Sequence, residues 1–183
     1  MKTNCWKKEG TWLSLWLATG IIYALIKFGI GKYNNYKIFK WVYWHSVEGQ
    51  PLYGTYPEYY DSNHYGILFS AVIAPFAVLP DWLGLVFWLI ANTALLFYAI
   101  RQLSFSRRQQ IFIYLFSYCE LMTAQGVQQF NISVAAFIVL AFALIEKKRI
   151  SGRPVSLFWE PLLRSILWWG WLSFSFPVRN SGL

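Results

Sequence analysis

Charged residues are scarce in this chain of 183 amino acids. Aspartate, glutamate, lysine and arginine make up 13% of it, whereas about 25% is usual in a soluble domain. Hydrophobic residues reach 57%, against the usual share of about 45–50%. So few charges cannot cover the surface of a water-soluble domain in the ordinary way, and the composition is therefore typical of an integral membrane protein.

Cysteine and histidine are also rare, with two residues of each. Cys5 precedes the first apolar stretch and Cys119 lies within a later one, so they form neither a disulfide framework nor a metal-ligand spacing. The sequence also lacks a phosphate loop, a nucleophile elbow and a dinucleotide fingerprint. These absences exclude the common soluble enzyme classes, and we predict no metal and no cofactor.

Acidic residues are half as frequent as basic ones, which gives a formal net charge of +8. The basic residues stand at the ends of apolar stretches, as membrane topology signals do, whereas a nucleic-acid-binding protein gathers positive charge on one folded face. We therefore predict contact with membrane lipid, no nucleic-acid partner, and a bacterial plasma membrane protein with a cytoplasmic N-terminus. The basic residues stand in three groups, each at the end of an apolar stretch: Lys2, Lys7 and Lys8; Arg101, Arg107 and Arg108; Lys147, Lys148 and Arg149.

The apolar stretches divide residues 1–183 into the parts of a single membrane domain. Residues 12–30 are long enough to cross a hydrocarbon core of about 30 Å at about 1.5 Å per residue. Residues 31–65 are predicted to form an extracytoplasmic loop, 66–145 further membrane helices, and 146–183 a basic stop and an atypical C-terminal segment. The predicted fold is all-α and polytopic, with about four to six membrane segments.

The apolar run at residues 65–79 is shorter than the others and contains Pro75. As a tilted span it would place Arg101–Arg108 outside, against the positive-inside tendency. As a re-entrant segment it would leave all three basic groups on the cytoplasmic side. The sequence leaves both topologies open, and the loop after the first span is extracytoplasmic in each. After this run, Asp81 is expected to cap the next helix.

The polar loop holds 8 of the 12 tyrosines within residues 32–65. Its first part predicts a helix lying flat on the membrane, because Tyr36, Phe39, Tyr43 and Val47 fall on one face. Its carboxylates are suited to general-base chemistry on a hydroxyl, and its histidines to holding phosphate. The plainer interpretation is a solvated loop whose tyrosines anchor it among lipid headgroups.

A second polar segment, TAQGVQQFN at residues 123–131, separates two later apolar runs, and Glu120 lies just before it. Polar side chains at membrane depth are tolerated where they line a cavity or pair with one another. The segment therefore has two interpretations, a functional lining or a connection between helices near the surface. Its amides can position a ligand but cannot perform acid–base chemistry.

The order of these segments and their local sequences resemble glycosyltransferase family 87, whose members are integral membrane enzymes of the GT-C type. The resemblance implies transfer of a hexose, commonly mannose, from a polyprenyl-phosphate donor to an extracytoplasmic acceptor. It covers about residues 12–150, through the first span, NNYKIFKWVYWHSVEGQPLYG, HYGILFSAVIAPFAVLP, LGLVFWLIANTALLFYAIRQL, and Gln129-Phe130-Asn131 before ISVAAFIVLAF.

The resemblance also implies site residues in the loop and at the second polar segment. Relatives place an aspartate just after the first span as the presumed base. Asn34 and Asn35 stand there in this chain, and an amide cannot accept the proton. The candidate catalytic carboxylates are Glu48, Glu58 and Asp61. The candidate substrate-binding residues are Asn34, Asn35, His45, His64, Tyr65, Gln129 and Asn131.

The C-terminal residues depart from the family pattern as well. Relatives continue for several further spans. The family pattern is not found in the C-terminal residues of this chain, SLFWEPLLRSILWWGWLSFSFPVRNSGL. We therefore expect a partial module whose missing spans are supplied by another chain. The alternative is a non-catalytic membrane subunit, or a truncated or frameshifted remnant.

Overall fold

The structure is a computed structural model that describes residues 5–151, with side chains described for residues 10–147. This part of the chain contains helices and no strand, which confirms the all-α prediction. The basic stop falls partly, and the atypical C-terminal segment wholly, outside the described residues. The helices are α1 (Cys5–Gly29), α2 (Asn34–Val47), α3 (Ile67–Ala77), α4 (Asp81–Arg101), α5 (Arg107–Gly126) and α6 (Asn131–Ser151).

The four long helices α1, α4, α5 and α6 form a body in which consecutive members run in opposite directions. The Trp16 ring of α1 contacts Phe97 of α4 and Tyr114 of α5, at centroid distances of 5.8 and 5.5 Å. One turn along α1, the Thr19 hydroxyl is 2.7 Å from the Tyr118 hydroxyl of α5. Helices α1 and α5 are therefore parallel to each other, and α4 and α6 run the opposite way.

This arrangement brings basic residues of different helices, Arg101, Arg107 and Lys147, to the same end of the body. The start of α1, the end of α4, the start of α5 and the end of α6 all lie at one end of the body, which we call the basic end. Lys147 of α6 donates to the Gln102 side chain just after α4, at 2.8 Å. We call the opposite end, formed by α2, α3 and residues 48–66, the tyrosine end.

Helix α3 is too short to cross a membrane. Its 11 residues extend about 16 Å, roughly half of a hydrocarbon core of about 30 Å. Phe69 near its start and Phe76 near its end both contact Trp88 of α4, at 6.2 and 5.4 Å between ring centroids. The helix therefore packs against α4 within the tyrosine end, and both predicted topologies stay predictions.

Two helical segments of the described part are long and apolar enough to cross a membrane, residues 10–29 of α1 and α4. This is fewer than the four to six membrane segments that the sequence predicts. Helix α5 is of similar length but starts with a run of arginine and glutamine. The outward faces of α5 and α6 still carry exposed apolar side chains, including Phe112, Phe116 and Phe142. These apolar surfaces indicate association with a membrane.

Gly84 allows the tyrosine end to approach the body closely. A Cβ atom at this position would overlap the Tyr36 hydroxyl of α2 and the Phe76 carbonyl oxygen of α3. The same two groups form a hydrogen bond, in which the Tyr36 hydroxyl donates to the Phe76 carbonyl at 3.0 Å. Only glycine therefore fits where α2, α3 and α4 meet.

Candidate functional site

Helix α2 forms the floor of the tyrosine end, and its bounds agree closely with the predicted helix. Its buried face differs from the predicted one. Tyr36, Phe39 and Val42 are buried, whereas Val47 is 61% exposed. The predicted apolar face was therefore wrong at Val47, because α2 packs against α3 and residues 48–66. Its position flat on a membrane stays a prediction.

Asn34 pairs with the backbone of a single loop residue. Its Nδ2 donates to the Tyr60 carbonyl at 2.6 Å, and its Oδ1 accepts from the Tyr60 N–H at 2.8 Å. The neighbouring Asn35 donates from Nδ2 to the Val127 carbonyl at 2.7 Å. These two amides therefore join the start of α2 to the loop and to the segment between α5 and α6.

The three candidate carboxylates have different surroundings. Glu48 is exposed at the end of α2. Asp61 is exposed and has a left-handed backbone with φ of 78°, and its Oδ1 accepts from the Ser62 N–H at 2.8 Å. Glu58 is half-buried, and its Oε2 is buried without a hydrogen-bond partner among the described residues. Glu58 is therefore the carboxylate with an unused acceptor inside the site.

Glu58 belongs to a group with His45, Tyr56 and Tyr59, which we call the loop cluster. The buried His45 ring stacks on Tyr56 at 3.7 Å and lies 6.3 Å from Tyr59, between ring centroids. The Tyr59 hydroxyl is buried without a hydrogen-bond partner in the described part of the chain. Burial raises the pKa of Tyr59, and the charges of Tyr56 and Glu58 raise it further. The loop cluster thus contains two buried oxygen atoms without a hydrogen-bond partner among the described residues.

The remaining candidates in the loop have separate positions. His64 is exposed to solvent. The Tyr65 ring packs against Phe69 and Phe39, at centroid distances of 4.4 and 5.0 Å, and burial raises its pKa. The Tyr65 N–H donates to Asn63 Oδ1 at 2.8 Å. Tyr65 therefore joins the loop to the core of the tyrosine end.

Sequence reasoning missed an ion pair between α2 and α4. Lys40 Nζ donates to Asp81 Oδ1 at 2.5 Å and to the Leu79 carbonyl at 3.1 Å. The Tyr33 hydroxyl donates to Asp81 Oδ2 at 3.2 Å, and burial followed by the Asp81 charge raises the pKa of Tyr33. The predicted cap is wrong, because Pro80 is the N-cap residue of α4 and Asp81 is occupied by these two partners.

The second polar segment divides into two parts. Residues 123–126 continue α5, which ends at Gly126, so only the remainder is a connection. Gln125 is fully buried, and its Nε2 donates to the Thr93 hydroxyl at 2.8 Å and to the Trp16 carbonyl at 3.2 Å. Glu120 is exposed. The buried amide therefore ties together three helices, α1, α4 and α5.

Gln129 and Asn131 lie beside the start of α6. Asn131 is exposed and donates from Nδ2 to Gln129 Oε1 at 3.2 Å. Between them, Phe130 packs on Trp88 and Phe69, at centroid distances of 5.8 and 5.1 Å. Through Asn35 and Val127, the structure places this segment at the same end of the body as the loop cluster.

No other feature of the described part competes with the loop cluster as a site. An open hollow at the basic end is lined mainly by apolar side chains. Residues with described side chains include no group of three or more histidine, cysteine, aspartate or glutamate residues suited to a metal ion. The hollow is lined by Phe105, Arg108, Gln109, Phe112 and Ile113.

The apolar helices, the single basic end and the polar, aromatic opposite end define the class, a helical protein associated with membranes. The sequence model of glycosyltransferase family 87 matches residues 63–167, more than half of the chain. The chain belongs to glycosyltransferase family 87, which confirms the resemblance. No curated protein and no solved structure matches it. The matched segment begins after the loop cluster.

Proposed function

We propose that this protein is a membrane glycosyltransferase that transfers a mannose-like hexose from a polyprenyl-phosphate donor to an extracytoplasmic acceptor. The proposal combines the family with one observation on the tyrosine end. Glu58 holds a buried carboxylate oxygen without a hydrogen-bond partner among the described residues, in the same loop cluster as the buried Tyr59 hydroxyl. A carboxylate oxygen without a hydrogen-bond partner is suited to taking a proton from a substrate hydroxyl.

In the proposed reaction, Glu58 accepts the proton of the acceptor hydroxyl. The acceptor oxygen forms a bond to the anomeric carbon of the donor sugar while the bond from that carbon to the phosphate oxygen breaks. Polyprenyl phosphate leaves with the electron pair of the broken bond. Of the three candidate carboxylates, Glu58 is favoured over Glu48 and Asp61 because the latter two are exposed.

Two lysines of α2 are candidates for holding the donor phosphate. Lys40 lies at the junction of α2 and α4, and Lys37 Nζ lies 4.9 Å from the centre of the Tyr33 ring. Asp81 neutralises the positive charge of Lys40. The positive-inside tendency favours a cytoplasmic basic end, which would put the lysines and the loop cluster on the extracytoplasmic side.

Transfer of labelled hexose from a polyprenyl-phosphate donor, in membranes containing the full chain, tests this proposal. We expect Glu58→Gln to lower the rate by about 100-fold or more, as loss of a general base does. Glu120→Gln, an exposed change on α5, is the matched control and should keep the wild-type rate. An unchanged rate in Glu58→Gln would refute the base assignment, and a lack of transfer by the wild type would refute the function.

The second candidate function is a non-catalytic membrane subunit or remnant. One observation favours it: both amides at the place of the family's presumed base are engaged by backbone carbonyls, at Tyr60 and Val127. This candidate predicts no turnover by the chain alone. Transfer of labelled hexose by the purified chain would refute this candidate.

A further inference from the structure

We propose that Asn34 and Asn35 are positioning residues that set the place of Glu58, and that both positions require an amide. The proposal rests on the proposed function only where it concerns transfer, since the contacts themselves can be tested without a substrate. On this proposal the two asparagines are required parts of the site. They are not the remains of a catalytic base that the chain has lost.

The pairing of Asn34 with Tyr60 requires a donor and an acceptor on the same side chain. Nδ2 donates to the Tyr60 carbonyl while Oδ1 accepts from the Tyr60 N–H. An ionised aspartate offers two acceptors and no donor, so one of its oxygens would face the carbonyl oxygen without a proton between them. Aspartate at position 34 would therefore keep at most one of the two hydrogen bonds.

Asn35 requires a donor. Its Nδ2 donates to the Val127 carbonyl, which lies just after α5. The two residues occupy the first turn of α2, where negative charge is favoured by the helix dipole. The amides are suited to this place because the two carbonyl groups need donors.

The consequence for the site follows from the short distance along the chain between Tyr60 and Glu58. Residues 48–66 contain no regular helix, so side-chain contacts decide where their backbone lies. Asn34 fixes the backbone of Tyr60 on both sides of the residue, two positions after Glu58. Asn35 holds the segment that leads to Gln129 against the same turn of α2. We therefore expect an acid at position 34 to displace Glu58, not to restore a base.

We call the two hydrogen bonds between Asn34 and Tyr60 the tether. Hydrogen exchange at the Tyr60 amide, in the full chain in lipid vesicles, measures the tether directly. Losing one hydrogen bond should speed exchange in Asn34→Asp by about tenfold at pH 7. Below the aspartate pKa the protonated acid both donates and accepts, as the amide does, so the ratio to wild type should return towards one. The pairing raises the pKa of this acid, so the tether is present at low pH and is lost as pH rises through that pKa.

Gln102→Glu is the matched control, because it adds the same charge at the basic end and keeps an acceptor for Lys147. It should leave exchange at Tyr60 and the rate of transfer unchanged. Equal exchange in Asn34→Asp and wild type at pH 7 would overturn the tether. So would a raised ratio that stays unchanged at low pH, since an unfolded loop does not recover on protonation.

Transfer kinetics test the positioning role. We expect Asn34→Asp and Asn35→Asp to lower kcat by about tenfold or more while KM changes less than about threefold, because misplacing a base affects the chemical step. Asn34→Asp should also gain transfer relative to wild type as pH falls. Transfer above the wild-type rate at pH 7 would overturn the proposal, since position 34 would then carry a base. If the wild type transfers no sugar, the proposed function fails and the exchange measurement still decides the tether.

Discussion

The body of four long helices and the tyrosine end are stabilised by different interactions. In the body, large rings interlock, as Trp16 does with Phe97 and Tyr114. At the tyrosine end, side-chain amides bind backbone groups of an irregular segment, as Asn34 does with Tyr60. The body therefore depends on the shape and volume of its side chains, whereas the tyrosine end depends on which atoms donate and which accept.

Trp88 lies where these two regions meet, so its removal tests whether they unfold together. The ring is buried and contacts aromatic residues of α2, α3 and the α5–α6 connection. Trp88→Ala should lower the free energy of unfolding by about 3–5 kcal/mol, the usual effect of removing a large buried ring. Thermal unfolding in detergent, followed by near-UV circular dichroism, measures it. The control Trp82→Ala removes a ring that is 47% exposed, and equal losses in the two variants would contradict the role of Trp88.

Gly84 tests the same junction by adding one carbon atom. In Gly84→Ala the new methyl group overlaps the Tyr36 hydroxyl and the Phe76 carbonyl, so α2 and α3 must shift away from α4. We expect a loss of about 1–3 kcal/mol in unfolding free energy, as overpacking usually produces. Gly10→Ala is the matched control in α1, where nothing lies within 4 Å of the added atom. A stability equal to that of Gly10→Ala would show that the approach is not tight.

The Lys40–Asp81 pair tests whether charge contributes to joining the regions. The two side chains are 18% and 34% exposed, so water screens their attraction. Lys40→Gln should therefore lower the unfolding free energy by less than about 1 kcal/mol. Chemical unfolding at low and high salt measures this, with Lys32→Gln, an exposed change nearby, as the control. A loss above 2 kcal/mol, on the order expected when a buried pair is broken, would contradict the screening argument.

The smallest predicted effect concerns the proximity of Glu58 to Tyr59. The negative charge of Glu58 is the last of the three causes that raise the pKa of Tyr59, after burial and Tyr56. Glu58→Gln should therefore lower that pKa slightly, so Tyr59 ionises earlier as pH rises. The difference in phenolate absorbance between Glu58→Gln and Glu58→Gln/Tyr59→Phe isolates this group. An unchanged titration curve for Tyr59 would show that Glu58 does not act on it, which would contradict the grouping of Glu58 with the loop cluster.

The sequence predicted what depends on local pattern. The apolar stretches predicted α1 and α4. Gly49, whose positive φ of 68° favours glycine, follows the end of α2. The depth of α3 stayed open, because hydropathy does not show whether a short apolar helix crosses or folds back. The extension of α5 through Gln125 was missed because the partners of that side chain, Thr93 and Trp16, are 32 and 109 residues away.

The candidate site was less predictable than the fold. The sequence offered Glu48, Glu58 and Asp61 as equals, and only burial separates them. The partners of Asn34 and Asn35 lie 26 and 92 residues further along the chain. No local spacing reports such contacts. The residue types therefore suggested a chemical role for these asparagines, whereas their contacts in the structure indicate a supporting role.

The buried polar contacts of α4 have a consequence for how the chain enters a membrane during synthesis. The Asn92 side-chain oxygen accepts from the Ser133 hydroxyl, and the Thr93 hydroxyl accepts from Gln125. Both partners are translated after α4, since Ser133 follows Asn92 by 41 residues and Gln125 follows Thr93 by 32. A newly made α4 released alone into lipid would expose these groups to hydrocarbon. Retention of α4 at the insertion channel until α5 and α6 emerge would avoid that exposure, and α4, α5 and α6 would then form one unit of assembly.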